Sequence, residues 1–411
     1  MNSSFWGMLL LALVLSAGCT SRSSEPTWPF SFPQEDSTTH ETKTIQIENR
    51  WLFDSNIVNA ISFSDNTDTL IHTQKPNGLT QLERRRANGS SAWIQKFSKP
   101  LKHLEVSDKG DVLFLETANR ELIALGGSGH EMWRETMPEE CHPRYLEEQQ
   151  RILCSEKGLT LLHWNGRKIA HTTTSQRITF ALDWKNSNHW ATLSEGGELS
   201  LYPQLSDSPL KTSRSTKTQL FAQDLAWIER STEQSPPMLA ILGHPGLQSH
   251  SEFQRLTLYN IQLEPILSTE LPIRFSNMLW DSAREHLYLS ADLPRGQYLY
   301  AYTIDWEDKR LNLLWKTQHL SASRGYSQQF ALTSKGTLYK VWTHLLTPPG
   351  MQHIARTYLV EHDPNTGYAR RFHRFEDATS PVFLVTRKNQ HTTRLGVLPR
   401  LDLLEWLQVT P

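Results

Sequence analysis

The chain has 411 residues, and its 42 Lys and Arg against 43 Asp and Glu leave a net charge of −1, with 38% hydrophobic, 21% charged and 10% aromatic residues. A balanced charge argues against nucleic acid as the main partner, because phosphate binding needs a basic excess; the hydrophobic share is that of a folded chain. Past the N-terminus no apolar run reaches the ~18 residues of a membrane-spanning helix, which excludes a multi-span helical membrane protein.

Met8 to Ala17 form a short apolar core that ends in Ser16-Ala17-Gly18-Cys19. It is too short to cross a bilayer and has the proportions of a secretory signal. Small residues directly before a cysteine resemble the lipobox of bacterial lipoproteins, which implies that Cys19 is lipidated and heads a mature chain of 411 − 18 = 393 residues. An ordinary cleaved signal with a coincidental cysteine is the alternative. Thr20, rather than Asp, implies by the same resemblance sorting to the outer membrane. Thr20 to Lys43 is rich in Ser, Thr and Pro without apolar periodicity, and reads as a flexible tether. The organisation expected is therefore a signal over 1–18, a lipidated tether over 19–43 and a folded part over 44–411.

From residue 44 onward, short runs rich in Val, Ile, Leu, Tyr, Trp and Thr are broken by Gly, Asn, Asp, Ser or Pro. Val112-Leu113-Phe114-Leu115 and His286-Leu287-Tyr288-Leu289 are examples. The fold class expected is all-β. An early strand, Thr44-Ile45-Gln46-Ile47, is placed to pair with the last unit of the fold. Cys141 and Cys154 flank a polar run, Glu147-Glu148-Gln149-Gln150. A hairpin turning there would set the two sulfurs nearly opposite each other; an exported chain permits the disulfide, and two separate buried thiols are the alternative.

Repeat spacing carries more information than the strands. Leu82 to Trp93 and Leu122 to Trp133 each place a glycine four residues before a tryptophan (Gly89 and Trp93, Gly129 and Trp133), and a weaker copy follows at Leu159 to Ala170. Later units keep only the strand pattern and end near Lys211, Leu267, Trp315, Tyr368 and Trp406. Eight units across about 370 residues, roughly 46 each, suit propeller blades, with seven as the alternative. A single four-stranded sheet cannot bury both faces, whereas a closed ring buries each face against a neighbour. The expectation is a single β-propeller of four-stranded antiparallel blades. Its 14 tryptophans would fill the wedges between blades, each indole N–H finding a carbonyl.

Gly110 to Phe114, Glu121 to Leu125 and Gly129 to Trp133 together resemble one repeat of the PQQ-like β-propeller family. In layout, a lipid-anchored propeller is similar to the propeller lipoproteins of the outer-membrane β-barrel assembly machinery, a family of non-catalytic scaffolds. The resemblance implies a monomer facing the periplasm, with outer-membrane barrel or assembly proteins as partners.

A search for chemistry returns little. There is no H-E-x-x-H, C-x-x-C, G-x-S-x-G or Walker loop, and His244 with His250 is a loop pair without further ligand-type neighbours. Gly126-Gly127-Ser128-Gly129 lies between strands with no helix to follow, so it reads as a turn. Cys141 and Cys154 are not adjacent, so no bound PQQ is expected, nor any metal or catalytic residue. Loop length does stand out. The connections between the second and third strands of blades 5 and 7 are expected over 243–254 and 344–356, against a short one, 292–296, in blade 6. Leu247 and Phe253 in the first, and Leu346, Pro348 and Met351 in the second, are the candidate partner-binding residues, as apolar side chains among polar ones; folding back over their own blades is the alternative. Two functions remain open: a protein-binding scaffold, and an enzyme or small-ligand binder using the central channel.

Overall fold

The computed structural model describes residues 27–29 and most of 43–407; the longer segments outside the description are 30–42, 204–211, 231–235, 246–252, 320–329, 347–353, 376–382 and 386–390. Every element in it is a strand.

The described strands fall into eight sheets arranged as a ring. Seven are antiparallel blades, each built around four consecutive strands, A to D from the channel outwards. Their inner strands are Asn56–Ser62, Leu101–Val106, His142–Leu146, Ile178–Trp184, Leu220–Ile228, Asn277–Asp281 and Phe330–Thr333. The eighth sheet is composite: Phe383–Val385, Leu395–Arg400 and Leu403–Leu407 are completed on the outside by Ile47–Leu52. The open choice between eight and seven units thus resolves into seven blades of consecutive strands and one that joins the two ends of the domain. The early strand closes the ring as expected but begins later. Lys43–Thr44 instead pairs in parallel with the outer strand of blade 7, and Ile47–Leu52 pairs with Leu403–Leu407.

The core is a series of slabs, one between each pair of blades. Leu113, Leu115, Ile123 and Leu125 of blade 2 meet Leu70 and Leu82 of blade 1. Phe114, Leu122 and Ala124 on the opposite face meet Ile152, Cys154 and Leu162 of blade 3. The middle strands are covered on both faces, which is why they read as unbroken apolar runs such as Leu239-Ala240-Ile241-Leu242. Outer strands are far more exposed, as in Glu131–Thr136. Carboxylates tie neighbouring blades together: Met278 N–H donates to Asp224 Oδ2 at 2.7 Å, and Cys141 N–H to Glu116 Oε1 at 2.8 Å.

The Gly…Trp spacing has a physical origin. Gly89, Gly129 and Gly166 sit at φ between +82° and +88° in the C–D turns of blades 1 to 3, where a three-residue hairpin needs a left-handed residue. Each turn then receives the outer-strand tryptophan of the preceding blade. Trp93 Nε1–H donates to Gly127 O at 2.8 Å, Trp133 Nε1–H to Trp164 O at 2.8 Å, and Trp315 Nε1–H to Pro364 O at 3.0 Å. Gly126-Gly127-Ser128-Gly129 is such a turn, with Gly126 N–H donating to His130 O.

Cys141 and Cys154 are joined by a disulfide with their Cα atoms 4.8 Å apart. In the segment read as a tether, Thr27–Pro29 forms a strand, parallel to Lys316–Gln318 on the rim of blade 6. Outer blade edges offer unpaired backbone groups, and an added strand satisfies them.

Candidate partner-binding face

With strand A entering from one face, the connections from B to C and from D to the next blade all emerge on that face. In blade 5, strand B is Met238–Pro245 and strand C is Gln254–Tyr259; in blade 7 they are Leu338–Leu346 and Ile354–His362. In blade 6, His286–Leu293 runs straight into Gly296–Asp305, with Leu293 paired to Gly296. Two long connections therefore straddle a low blade, as expected.

The strands that bear these loops are longer than the sequence suggested. Pro245 pairs with Leu220 and Leu346 with Ile354, so residues 243–245 and 344–346 belong to ladders rather than loops. Leu346 is thus the last residue of a strand. Leu247, Pro348 and Met351 lie outside the described residues, as does His250. Phe253 is described, and at 58% exposure it is among the most exposed large apolar side chains of the protein.

The base under Phe253 is rigid. Gln254 is fully buried; its Nε2 donates to Phe275 O at 2.7 Å and to Gln223 Oε1 at 3.0 Å, while its Oε1 accepts from Phe275 N–H. One side chain so fixes the start of strand C against the link into blade 6. His244, at the end of strand B, is held below the usual imidazole range by burial and by Arg274, against a backbone bond to Phe253. Deeper in the same wall, burial pushes Asp224 up to about 6, opposed by the N–H groups of Met278 and Leu225. On blade 6, Tyr298, Tyr300 and Tyr302 form a ladder along strand C, ring centroids 6.4 and 6.0 Å apart. That ladder is packed into the core between blades 5 and 6, with Tyr300 and Tyr302 buried, so what the face offers is an apolar tip on a stiff base, a combination suited to gripping protein surface. Among the described residues no group of three or more His, Cys, Asp or Glu is placed to hold a metal ion.

No protein-family model and no curated protein matches the chain. In three dimensions it is similar to the C-terminal WD40 domain of Sif2, at 9% identity and a TM-score of 0.61 over 90% of this chain and 100% of that one. BamB from Moraxella catarrhalis follows at 11% identity and 0.55, over 89% and 98%. The computationally designed Ika8 protein gives 9% and 0.56, over 90% and 100%. The fold is a β-propeller. At these identities the likeness is one of architecture, and it does not carry membership of the PQQ-like family.

Proposed function

We propose that the protein is a non-catalytic, lipid-anchored propeller scaffold at the periplasmic face of the outer membrane. In this reading it docks outer-membrane barrel or assembly proteins on the face formed by the long connections of blades 5 and 7. The observation that carries the docking surface is Phe253, an exposed aromatic at the foot of a long loop, on a base locked by Gln254. The anchor rests on Ser16-Ala17-Gly18-Cys19, and the periplasmic setting on the disulfide, which forms in oxidising compartments. The assembly role rests on the layout shared with propeller lipoproteins of the assembly machinery.

A photo-crosslinking residue at position 253 in whole cells tests it. Recovery of an outer-membrane barrel or assembly component is expected, and Cys19→Ser should shift the protein from the membrane to the soluble periplasmic fraction. Efficient labelling of no membrane partner from position 253, or turnover of a sugar, alcohol or ester by the purified protein, would overturn the reading.

A further inference from the structure

The slab between blades 3 and 4 departs from its neighbours. In blade 2 the central cross-strand pair facing the preceding blade is Leu115 with Ile123; in blade 4 it is Thr192 with Ser200. Next to that pair, Ser194 and Glu198 continue the polar surface. On the opposing wall, the position that holds Trp93 in blade 1 and Trp133 in blade 2 holds Ala170. All three stand at the same step beside a bulge in the outer strand. Between the two walls lies a cavity of about 500 Å³. That volume lies within the roughly 300–1,000 Å³ of small-molecule sites.

Its lining is largely hydroxylic, with Gln176, Ile178 and Glu198 as the exceptions. Thr172 comes from blade 3, and Thr192, Ser194 and Ser200 from blade 4. The last three are only 1%, 5% and 7% exposed, and the Thr192 side chain is hydrogen-bonded to Tyr202. Ser194 Oγ donates to Gln176 Oε1 at 2.9 Å and accepts from Glu198 N–H at 3.0 Å. Ile178 and Tyr202 supply an apolar wall, the tyrosine ring stacked on Trp190 at 4.1 Å. Among the described residues Glu198 is the one charged residue of the lining, with no Lys or Arg beside it, a lining that does not favour an anion. Hydroxyls both donate and accept, and so do the hydroxyls of a sugar, whose C–H faces suit an aromatic wall.

We propose that this cleft binds a neutral saccharide. The inference is independent of the docking reading, since it concerns another part of the ring and the purified protein alone.

The test is saturation-transfer NMR and calorimetry on the mature protein with maltose and N-acetylglucosamine, repeated on Thr192→Val and Glu198→Gln. Thr192→Val removes a buried hydroxyl at nearly constant shape; Glu198→Gln changes an exposed residue, so folding is preserved in at least one variant, as thermal melting would verify. Saturable binding of either sugar, weakened at least tenfold in the folded variants, is the expected result. No saturable binding by the wild type, or binding unchanged in the variants, would overturn the proposal and leave a solvent-filled seam.

Discussion

At Gly367 the backbone φ is +74°, and an added Cβ would lie 2.5 Å from Cε3 of Trp315. Both the turn and the incoming indole therefore require glycine. Gly367→Ala is expected to cost about 1–3 kcal/mol, and Trp315→Ala, which empties a site only 1% exposed, about 3–5 kcal/mol. Urea denaturation would measure both, and an alanine at 367 as stable as the wild type would contradict the latch. His362 lies one turn away and sets a pH dependence. Its Nδ1–H donates to Gly367 O while Nε2 accepts from Trp342 Nε1–H, so the site fits the neutral ring; burial pushes the pKa down to about 4. The unfolded chain takes up this proton near 6.5. Stability is therefore full above pH 6.5 and lost as pH falls towards 4, by roughly 3 kcal/mol. His72, also pushed down to about 4 by burial, acts in the same direction. Asp224, raised to about 6, acts in the opposite sense: folded, it keeps a proton that the unfolded chain sheds, so it destabilises increasingly as pH rises from 3.8 to 6. The clean measurement is the stability difference between wild type and His362→Gln, which should shift in favour of the variant by roughly 3 kcal/mol from pH 7 to pH 4. A constant difference would remove His362 from the account.

Blade 3 shows how an element is secured where its own sheet is short. Its inner strand, His142–Leu146, and the next, Arg151–Ser155, have only five residues each. The disulfide ties the start of the first to the second, across a sequence separation of 13 residues. Chain-entropy arguments give roughly 3 kcal/mol for closing such a loop. Replacing both cysteines by alanine should lower stability by about 2–3 kcal/mol with the circular dichroism of the fold retained, and thiol labelling of the unfolded, unreduced mature protein should find neither cysteine reactive. Labelling at both positions would show the bridge to be absent. The glycine-to-tryptophan spacing in the sequence pointed to these elements because a hairpin is local: Gly89 and Trp93 lie in one hairpin, although Trp93 latches the turn of the next blade at Gly127. Strand ends in blades 5 and 7 were misjudged by a few residues, because Pro245 is held in its ladder by Leu220 of the preceding strand and Leu346 by Ile354 across the connection, pairings that local composition does not report.

Closure belongs to the whole molecule. Ile47–Leu52 joins the last blade, with Trp51 edge-on to Trp406 at 5.4 Å and Arg50 paired to Glu405 at 2.9 Å. Trp51 also belongs to the slab between the last blade and the first, with Ile57, Ile71 and Leu404. A protein shortened to begin at Phe53 should lose that slab and unfold broadly, with aggregation visible by size-exclusion chromatography. A single sharp transition at the wild-type temperature would mean that the ring does not depend on its clasp. The all-β class and the blade length were readable in order along the chain, because alternation, turns and repeats depend on near neighbours; the expectation of a carbonyl for each indole N–H holds at Trp93, Trp133 and Trp315 but not at Trp342, which bonds the His362 ring. The hydroxyl-lined cleft and the stiff base under Phe253 were not. Thr172, Thr192 and Ser200 meet only through sheet register and the facing of two blades, and Gln254 finds Phe275 only once the ring has been packed.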